Sequence, residues 1–245
     1  MDRVKFVGLC FFLMTLAGCG KHGDTSALPT VPPAQPDDNS ESKKTPILIV
    51  GDSHSCGAFG VQLLMDLADE GYFVTLYCAV SSSPTNWVNG TTTSGQVCQT
   101  MTSRNPTLKL CGGTGKVPKF STIMASHESD LVVIAHGTNS LLSPTADSKY
   151  GKMAQAAGAN CLWVGPPHLR PDQAKGFTPD RLKKMEKNLS GFYTSLKAGI
   201  GDCALIDSRS FTIKGATGGN TSDGVHRTTA SGKYWADKVG ENILN

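Results

Sequence analysis

The chain has 245 residues, of which 39% are hydrophobic, 18% charged and 7% aromatic, with 27 Gly, 13 Pro and 8 Cys. Those proportions describe a globular chain long enough for one large domain or two small ones, and they exclude wholesale disorder, a coiled coil and a collagen-like repeat. A formal net charge of +3, with no basic block beside clustered aromatics, argues against a nucleic-acid partner.

At the N-terminus, Asp2, Arg3 and Lys5 precede an apolar run from Phe6 to Leu16. The run falls short of the roughly 20 apolar residues needed to cross a bilayer and has the layout of a secretory leader. Ala17 and Gly18 directly before Cys19 resemble a bacterial lipobox. That resemblance implies removal of residues 1–18 as a lipoprotein signal peptide and diacylation of the Cys19 thiol. The lipid then anchors the chain without a transmembrane helix. Gly20 and Lys21 after the anchor, with no Asp at the second position, point to the outer membrane, facing the periplasm or the exterior. Residues 19–45 form an expected disordered tether, Gly-, Ser-, Pro- and Asp-rich and without periodicity. Cys10 leaves with the leader, so Cys56, Cys78, Cys98, Cys111, Cys161 and Cys203 remain as disulfide candidates. An even number of cysteines in an exported domain predicts three disulfides. Among the connectivities that six cysteines allow, the most local pairs Cys56 with Cys78, Cys98 with Cys111 and Cys161 with Cys203. A zinc site is disfavoured, because the metal-ligand spacings are missing.

From residue 46 onward, strands and helices alternate. Pro46 to Val50 is a short continuous apolar run, rich in β-branched residues, that suits a strand buried on both faces. A helix with Phe59, Leu63, Leu64 and Leu67 inward follows, and Tyr72 to Tyr77 makes a second strand. Further strands are predicted at 131–135, 161–164 and 203–206. A helix over 179–197 carries Leu182, Met185, Leu189, Phe192 and Leu196 on one stripe, and a last one over 229–243 turns Tyr234, Val239 and Ile243 inward. This order predicts an α/β domain over 46–245, a three-layer α/β/α fold around a flavodoxin-like five-stranded parallel sheet. Residues 81–126, rich in Gly, Ser and Thr, are expected to hold little regular structure and to serve as a cover or a disulfide-stapled excursion.

In open α/β sheets, ligands gather at the carboxyl ends of strands. Gly51-Asp52-Ser53-His54-Ser55 follows the first strand, Gly137-Thr138-Asn139 the third, and Asp223-Gly224-Val225-His226 precedes the last helix. Each alone is also an ordinary turn sequence. In this order and at these places they resemble the four blocks of the SGNH (GDSL-like) hydrolase superfamily, over essentially the whole of 46–245. The resemblance implies Ser53 as nucleophile, His226 as general base, Asp223 as the carboxylate orienting it, and Asn139 as an oxyanion donor beside the Ser53 N–H. The chemistry is consistent with these roles. A serine hydroxyl needs a base, an imidazole can serve near neutral pH, and Asp and His three residues apart in one loop can act as a unit. The second block departs from the pattern. Cys78-Ala79-Val80-Ser81-Ser82-Ser83-Pro84 has no glycine, and Ser81 is its positional match as the further oxyanion donor, although a Cβ restricts the conformations available there.

His54, His136 and His168 adjoin the motifs and are expected as possible substrate contacts. Trp87, Trp163 and Trp235 read as core or loop anchors, with Trp87 also able to stack on a saccharide. Asp52-Ser53-His54 can also open the D-x-H motif of a calcineurin-like metallophosphoesterase, but that family's later motifs are missing. No metal or other cofactor is expected. The resemblance and the exported compartment together imply a serine esterase that hydrolyses short acyl esters, above all acetyl, through an acyl-enzyme on Ser53. The implied substrate class is O-acetylated polysaccharide or peptidoglycan, with the membrane met only through the lipid anchor. An O-acetyltransferase would use the same acyl-enzyme. The alternative of another class is a catalytically inactive glycan-binding or envelope-adaptor lipoprotein on the same fold.

Overall fold

The computed structural model describes residues 45–93 and 95–245. The expected leader, the lipidated Cys19 and the tether up to residue 44 lie outside the described residues. The elements are β1 (Pro46–Gly51), α1 (Ser53–Cys56), α2 (Ala58–Asp69), β2 (Phe73–Ala79), α3 (Pro84–Asn89), β3 (Cys98–Thr102), β4 (Asn105–Leu110), α4 (Phe120–Ser126), β5 (Leu131–Ala135), α5 (Ser148–Ala157), β6 (Cys161–Val164), α6 (Pro179–Gly199), β7 (Ala204–Ile206), α7 (Arg209–Thr212) and α8 (Thr229–Leu244).

One sheet carries them, in the order β4-β3-β2-β1-β5-β6-β7. The five strands β2, β1, β5, β6 and β7 are parallel and alternate with helices as the sequence predicts. Alternation within them sorts the core into two layers. Leu48, Val50, Val132 and Ile134 face a cluster with Tyr150, Leu189, Phe192 and Leu196 of α5 and α6. Ile47, Ile49, Val133 and Ala135 face Leu63, Leu67, Trp235 and Val239 of α2 and α8. Stacking of Phe59 on Trp235, with centroids 3.9 Å apart, ties α2 to α8. The inward stripe of α8 runs through Trp235, Ala236 and Val239, and Tyr234, expected inward, is only half-buried.

The sheet has seven strands where five were expected. The additional pair lies inside the segment read as irregular: β3 runs antiparallel to β2, and β4 antiparallel to β3. The same segment holds α3, with Pro84 in its first turn and a Ser83/Asn86 capping box, and α4. Its strands lack a long apolar run because β4 is an edge strand with mostly exposed residues. An edge of that kind carries little of the period-two signal that reveals a half-buried strand. The disulfides pair Cys56 with Cys78, Cys98 with Cys111 and Cys161 with Cys203. The second closes the base of the β3-β4 hairpin, and the third joins the starts of β6 and β7.

Candidate active site

Pairing register brings the motifs together. Gly51, the last residue of β1, lies opposite Cys78 of β2 on one side and Ala135 of β5 on the other. The chains that leave β2 and β5 therefore flank the one that leaves β1. Gly51 is required sterically, since a Cβ there would collide with Ser55 Oγ. Asp52 then caps α1: its carboxylate accepts from the His54 N–H at 3.0 Å and its carbonyl from the Ser55 N–H at 3.1 Å. Ser53 is the first residue of that helix.

Ser53 Oγ lies 3.0 Å from His226 Nε2, and His226 Nδ1 lies 2.7 Å from Asp223 Oδ2. The other carboxylate oxygen of Asp223 accepts the backbone N–H groups of His226 at 2.7 Å and Val225 at 2.9 Å. Burial opposes ionisation of Asp223, but the hydrogen bonds from the His226 ring and from these two N–H groups prevail and hold its pKa below the ordinary carboxylate value. The loop that carries both residues closes on itself through the Ser222 N–H, which donates to the His226 carbonyl at 2.8 Å.

On the segment that leaves β5, Asn139 Nδ2 donates to the Ser82 carbonyl at 2.9 Å, which leaves its second N–H free to point elsewhere. Asn139 follows Gly137, whose φ of 146° and close approach to Pro166 Cδ, 2.8 Å from an added Cβ, admit no side chain. Ser81 has φ 58° and is the one non-glycine residue of positive φ among the described residues. Three contacts impose that conformation. The Ser82 N–H donates to the Ala79 carbonyl at 3.2 Å, Gln96 Nε2 to the Ser81 carbonyl at 2.9 Å, and Trp87 Nε1 to Ser82 Oγ at 3.0 Å. Ser81 thus takes the left-handed conformation that a glycine adopts freely, at a cost of about 1–3 kcal/mol borne by its surroundings. Among the described residues, neither the Ser53 N–H nor the Ser81 N–H has a protein acceptor.

No family model matches the chain. It is 25% identical over 210 residues to Protein BcsX of Komagataeibacter xylinus, covering 81% of this chain and 76% of that one. Among solved structures it resembles a protein assigned as an SGNH hydrolase from Slackia heliotrinireducens, with TM-score 0.53 and 18% identity over 82% of this chain and 99% of the other. A lipase/acylhydrolase from Enterococcus faecalis superposes with TM-score 0.50 and 14% identity, over 81% and 95% of the two chains. A DUF4886 family protein from Bacteroides uniformis reaches TM-score 0.53 at 13% identity, over 81% and 82%. The chain has the SGNH hydrolase fold.

Within this SGNH fold, two of the three histidines expected near substrate are walls of the interior. His54 and His136 are 5% and 2% exposed. With Asp52, Thr138, Pro166 and Trp235 they enclose a cavity of about 10 Å³. Burial, reinforced by the charges of His226 and Arg227, keeps the His54 pKa well below its usual value, and burial pushes His136 down to about 3. Both rings are therefore neutral near pH 7. The His54 ring lies 5.5 Å from that of His226 and edge-on to Trp235. His136 stands edge-on to Trp87. His168 is partly exposed, but its Nδ1 bonds Glu186, which also accepts the Leu169 N–H at 2.7 Å, so the ring is held as part of a loop clamp. Trp87 is fully buried, an anchor and not a sugar platform.

The carboxylate of Asp52, which the D-x-H reading would assign to a metal, is buried and spent on capping α1; that burial pushes its pKa up to about 7, against the His54 N–H and the His226 charge. Arg227 gave no sequence signal. It is buried beside His226, donates to the carbonyls of Gly218 and His168, and is lowered to about 10 by burial. It joins the His226 loop to the chain after β6. A shallow hollow of about 190 Å³ opens beside the Ser53 and His226 pair, floored by Gly57, Ala58 and Phe59. A larger hollow, about 470 Å³, lies at the opposite end of the sheet between Gly151 and Cys203 and contains no such pair. Hydrogen-bonded chemistry, not volume, locates the site.

Proposed function

We propose that the protein is a serine esterase that cleaves short acyl esters through an acyl-enzyme on Ser53. The observation that carries this reading is the hydrogen-bonded line from Ser53 Oγ to His226 at 3.0 Å and from His226 to Asp223 at 2.7 Å. Ser53, just past the end of β1, and Ser81, on the segment that follows the neighbouring strand β2, each carry a backbone N–H without a protein acceptor among the described residues. As Ser53 Oγ attacks the acyl carbonyl carbon, His226 Nε2 takes its proton, and Asp223 holds the ring in the tautomer that leaves Nε2 free. The carbonyl oxygen becomes an oxyanion that the N–H groups of Ser53 and Ser81 and the free N–H of Asn139 receive. Collapse of that intermediate breaks the ester C–O bond while His226 returns the proton to the leaving alcohol. Water then attacks the acyl-enzyme with His226 again as base, and releases the acid and Ser53.

The small hollow beside Ser53 favours a short acyl group such as acetyl. The lipobox-like Ala17-Gly18-Cys19 favours a lipid-anchored protein of the bacterial cell envelope acting on O-acetylated glycans. The deciding experiment is hydrolysis of p-nitrophenyl acetate by wild type and Ser53→Ala. Equal rates would reject the esterase, and glycan binding without turnover would favour an adaptor. The mass of the N-terminal peptide of protein isolated from membranes decides between a lipidated Cys19 and a free N-terminus.

A further inference from the structure

The three disulfides are placed differently with respect to the site. Cys161–Cys203 joins strand starts at the far end of the sheet, and Cys98–Cys111 closes the hairpin base. Cys56–Cys78 alone links the segments on which the Ser53 and Ser81 N–H groups ride. Cys56 is the last residue of α1, one turn after Ser53, and Cys78 precedes Ser81 by three residues, with the two Cα atoms 5.3 Å apart. The helix so tied has four residues, of which only His54 and Ser55 are buried, and Ser55 Oγ has no partner. An element this short is not stable by its own hydrogen bonds and takes its position from its attachments. Those attachments include the Asp52 cap at its start, the packing of His54 against Trp235 and of the Ser55 backbone against Gly60 of α2, and, at its end, the disulfide, which is the one covalent tie to the β2 segment.

We propose that Cys56–Cys78 is a positioning crosslink of the oxyanion site, holding the Ser53 and Ser81 N–H groups at the separation from which both reach one oxygen. Two donors serve one oxyanion only if both stand about 3 Å from the same point. They come from separate strands, β1 and β2, and the sheet ladder that spaces those strands ends at the pairing of Gly51 with Cys78. Beyond that pairing, among the described residues, no hydrogen bond joins α1 to the Ser81 turn, and the disulfide is the direct bond between the two segments. The proposal rests on the esterase reading, in which these N–H groups receive an oxyanion.

The test compares four forms of the oxidised full-length protein: wild type, Cys56→Ala/Cys78→Ala, Cys56→Val/Cys78→Ala, which refills part of the lost volume, and Cys161→Ala/Cys203→Ala. Measured are kcat and KM for p-nitrophenyl acetate, the thermal melt, and amide hydrogen exchange of residues 52–56 and 79–83. The expected result for both Cys56 variants is a retained cooperative melt, kcat lower by about tenfold or more, KM within about twofold, and faster exchange in both segments. The Cys161→Ala/Cys203→Ala form melts earlier and keeps its kcat. Unchanged kcat, a kcat loss no larger than that of the Cys161 form, a shift confined to KM, or unchanged exchange in either segment overturns the proposal. Loss of a cooperative melt in both Cys56 variants also overturns it, because the bond then holds the fold and not the site. If wild type shows no Ser53-dependent turnover, the esterase reading has failed, and exchange alone decides the crosslink.

Discussion

The loop from Asp223 to His226 and the turn at Ser81 both bring a group to Ser53, yet they are built in opposite ways. The first pairs its reactive groups locally: Asp223 accepts three hydrogen bonds from Val225 and His226, within three residues, while the Arg170 and Lys175 N–H groups dock the loop's backbone at the Gly224 and Asp223 carbonyls. The second takes a conformation that serine adopts reluctantly and is held there by Gln96 and, through Ser82, by Trp87 and Asn139. A carboxylate and an imidazole paired within one loop keep their mutual geometry wherever the loop is docked. A turn held from a distance is as good as its most remote support.

Six substitutions sharpen this contrast. The largest effect belongs to the Asp223 side: Ser53→Ala or His226→Ala lowers kcat by about 10⁴-fold or more, because nucleophile and base act as one unit. Folding is unaffected, as far-UV circular dichroism and melting will show. Next comes Asn139→Ala, which removes a donor and a support of the Ser82 carbonyl together; kcat falls by about 100- to 1,000-fold, measured on the same acetate ester.

His136 supports the Ser81 side through Trp87, and its contribution is read from pH. Its pKa in the folded state is depressed to about 3 from an ordinary 6.5. The stability it contributes is therefore fully present above about pH 6.5 and is lost as pH falls toward 3, where the unfolded chain gains a proton that the folded one refuses. Relative to His136→Phe, wild type loses about 3 kcal/mol between pH 7 and pH 4 in urea unfolding. A difference independent of pH would mean that the ring is not buried neutral.

The smallest effects test the turn itself. Gln96→Ala frees the Ser81 carbonyl and lowers kcat by about tenfold with little change in KM, since a misplaced donor weakens the transition state and not the ground state. Ser81→Gly keeps kcat within a few-fold and raises stability by up to about 1 kcal/mol, because glycine accepts φ 58° without strain. A large loss of stability in that variant would show that the Ser81 side chain contributes more than its backbone.

Much of this was legible before any coordinates. The five parallel strands follow from continuous apolar runs such as Ile47 to Val50 and Leu131 to Ala135, whose burial on both faces leaves no ambiguity. The approach of Ser53 and His226, 173 residues apart, was legible only through the resemblance of the motif order to the SGNH hydrolases, since His226 lies in the loop before α8 and not at a strand end. The hairpin at 98–110 was not, because an exposed edge strand has no buried face to mark its pattern. Nor was the burial of His54 and His136, since the turn motifs that contain them are polar in composition while Trp235, Trp87 and Pro166 close over them in space.

Sequence by itself determined which reactive side chains stand at the ends of which strands, because short motifs and apolar periodicity are local properties of the chain. Apart from the local pairing of Asp223 with His226, tertiary structure decided how those groups are held. The left-handed turn at Ser81, the clamp of His168 on Glu186 and the buried Arg227 beside His226 each depend on a partner 15 or more residues away. No local preference predicts such conformations, because the energy that imposes them comes from contacts that exist only once the sheet has formed.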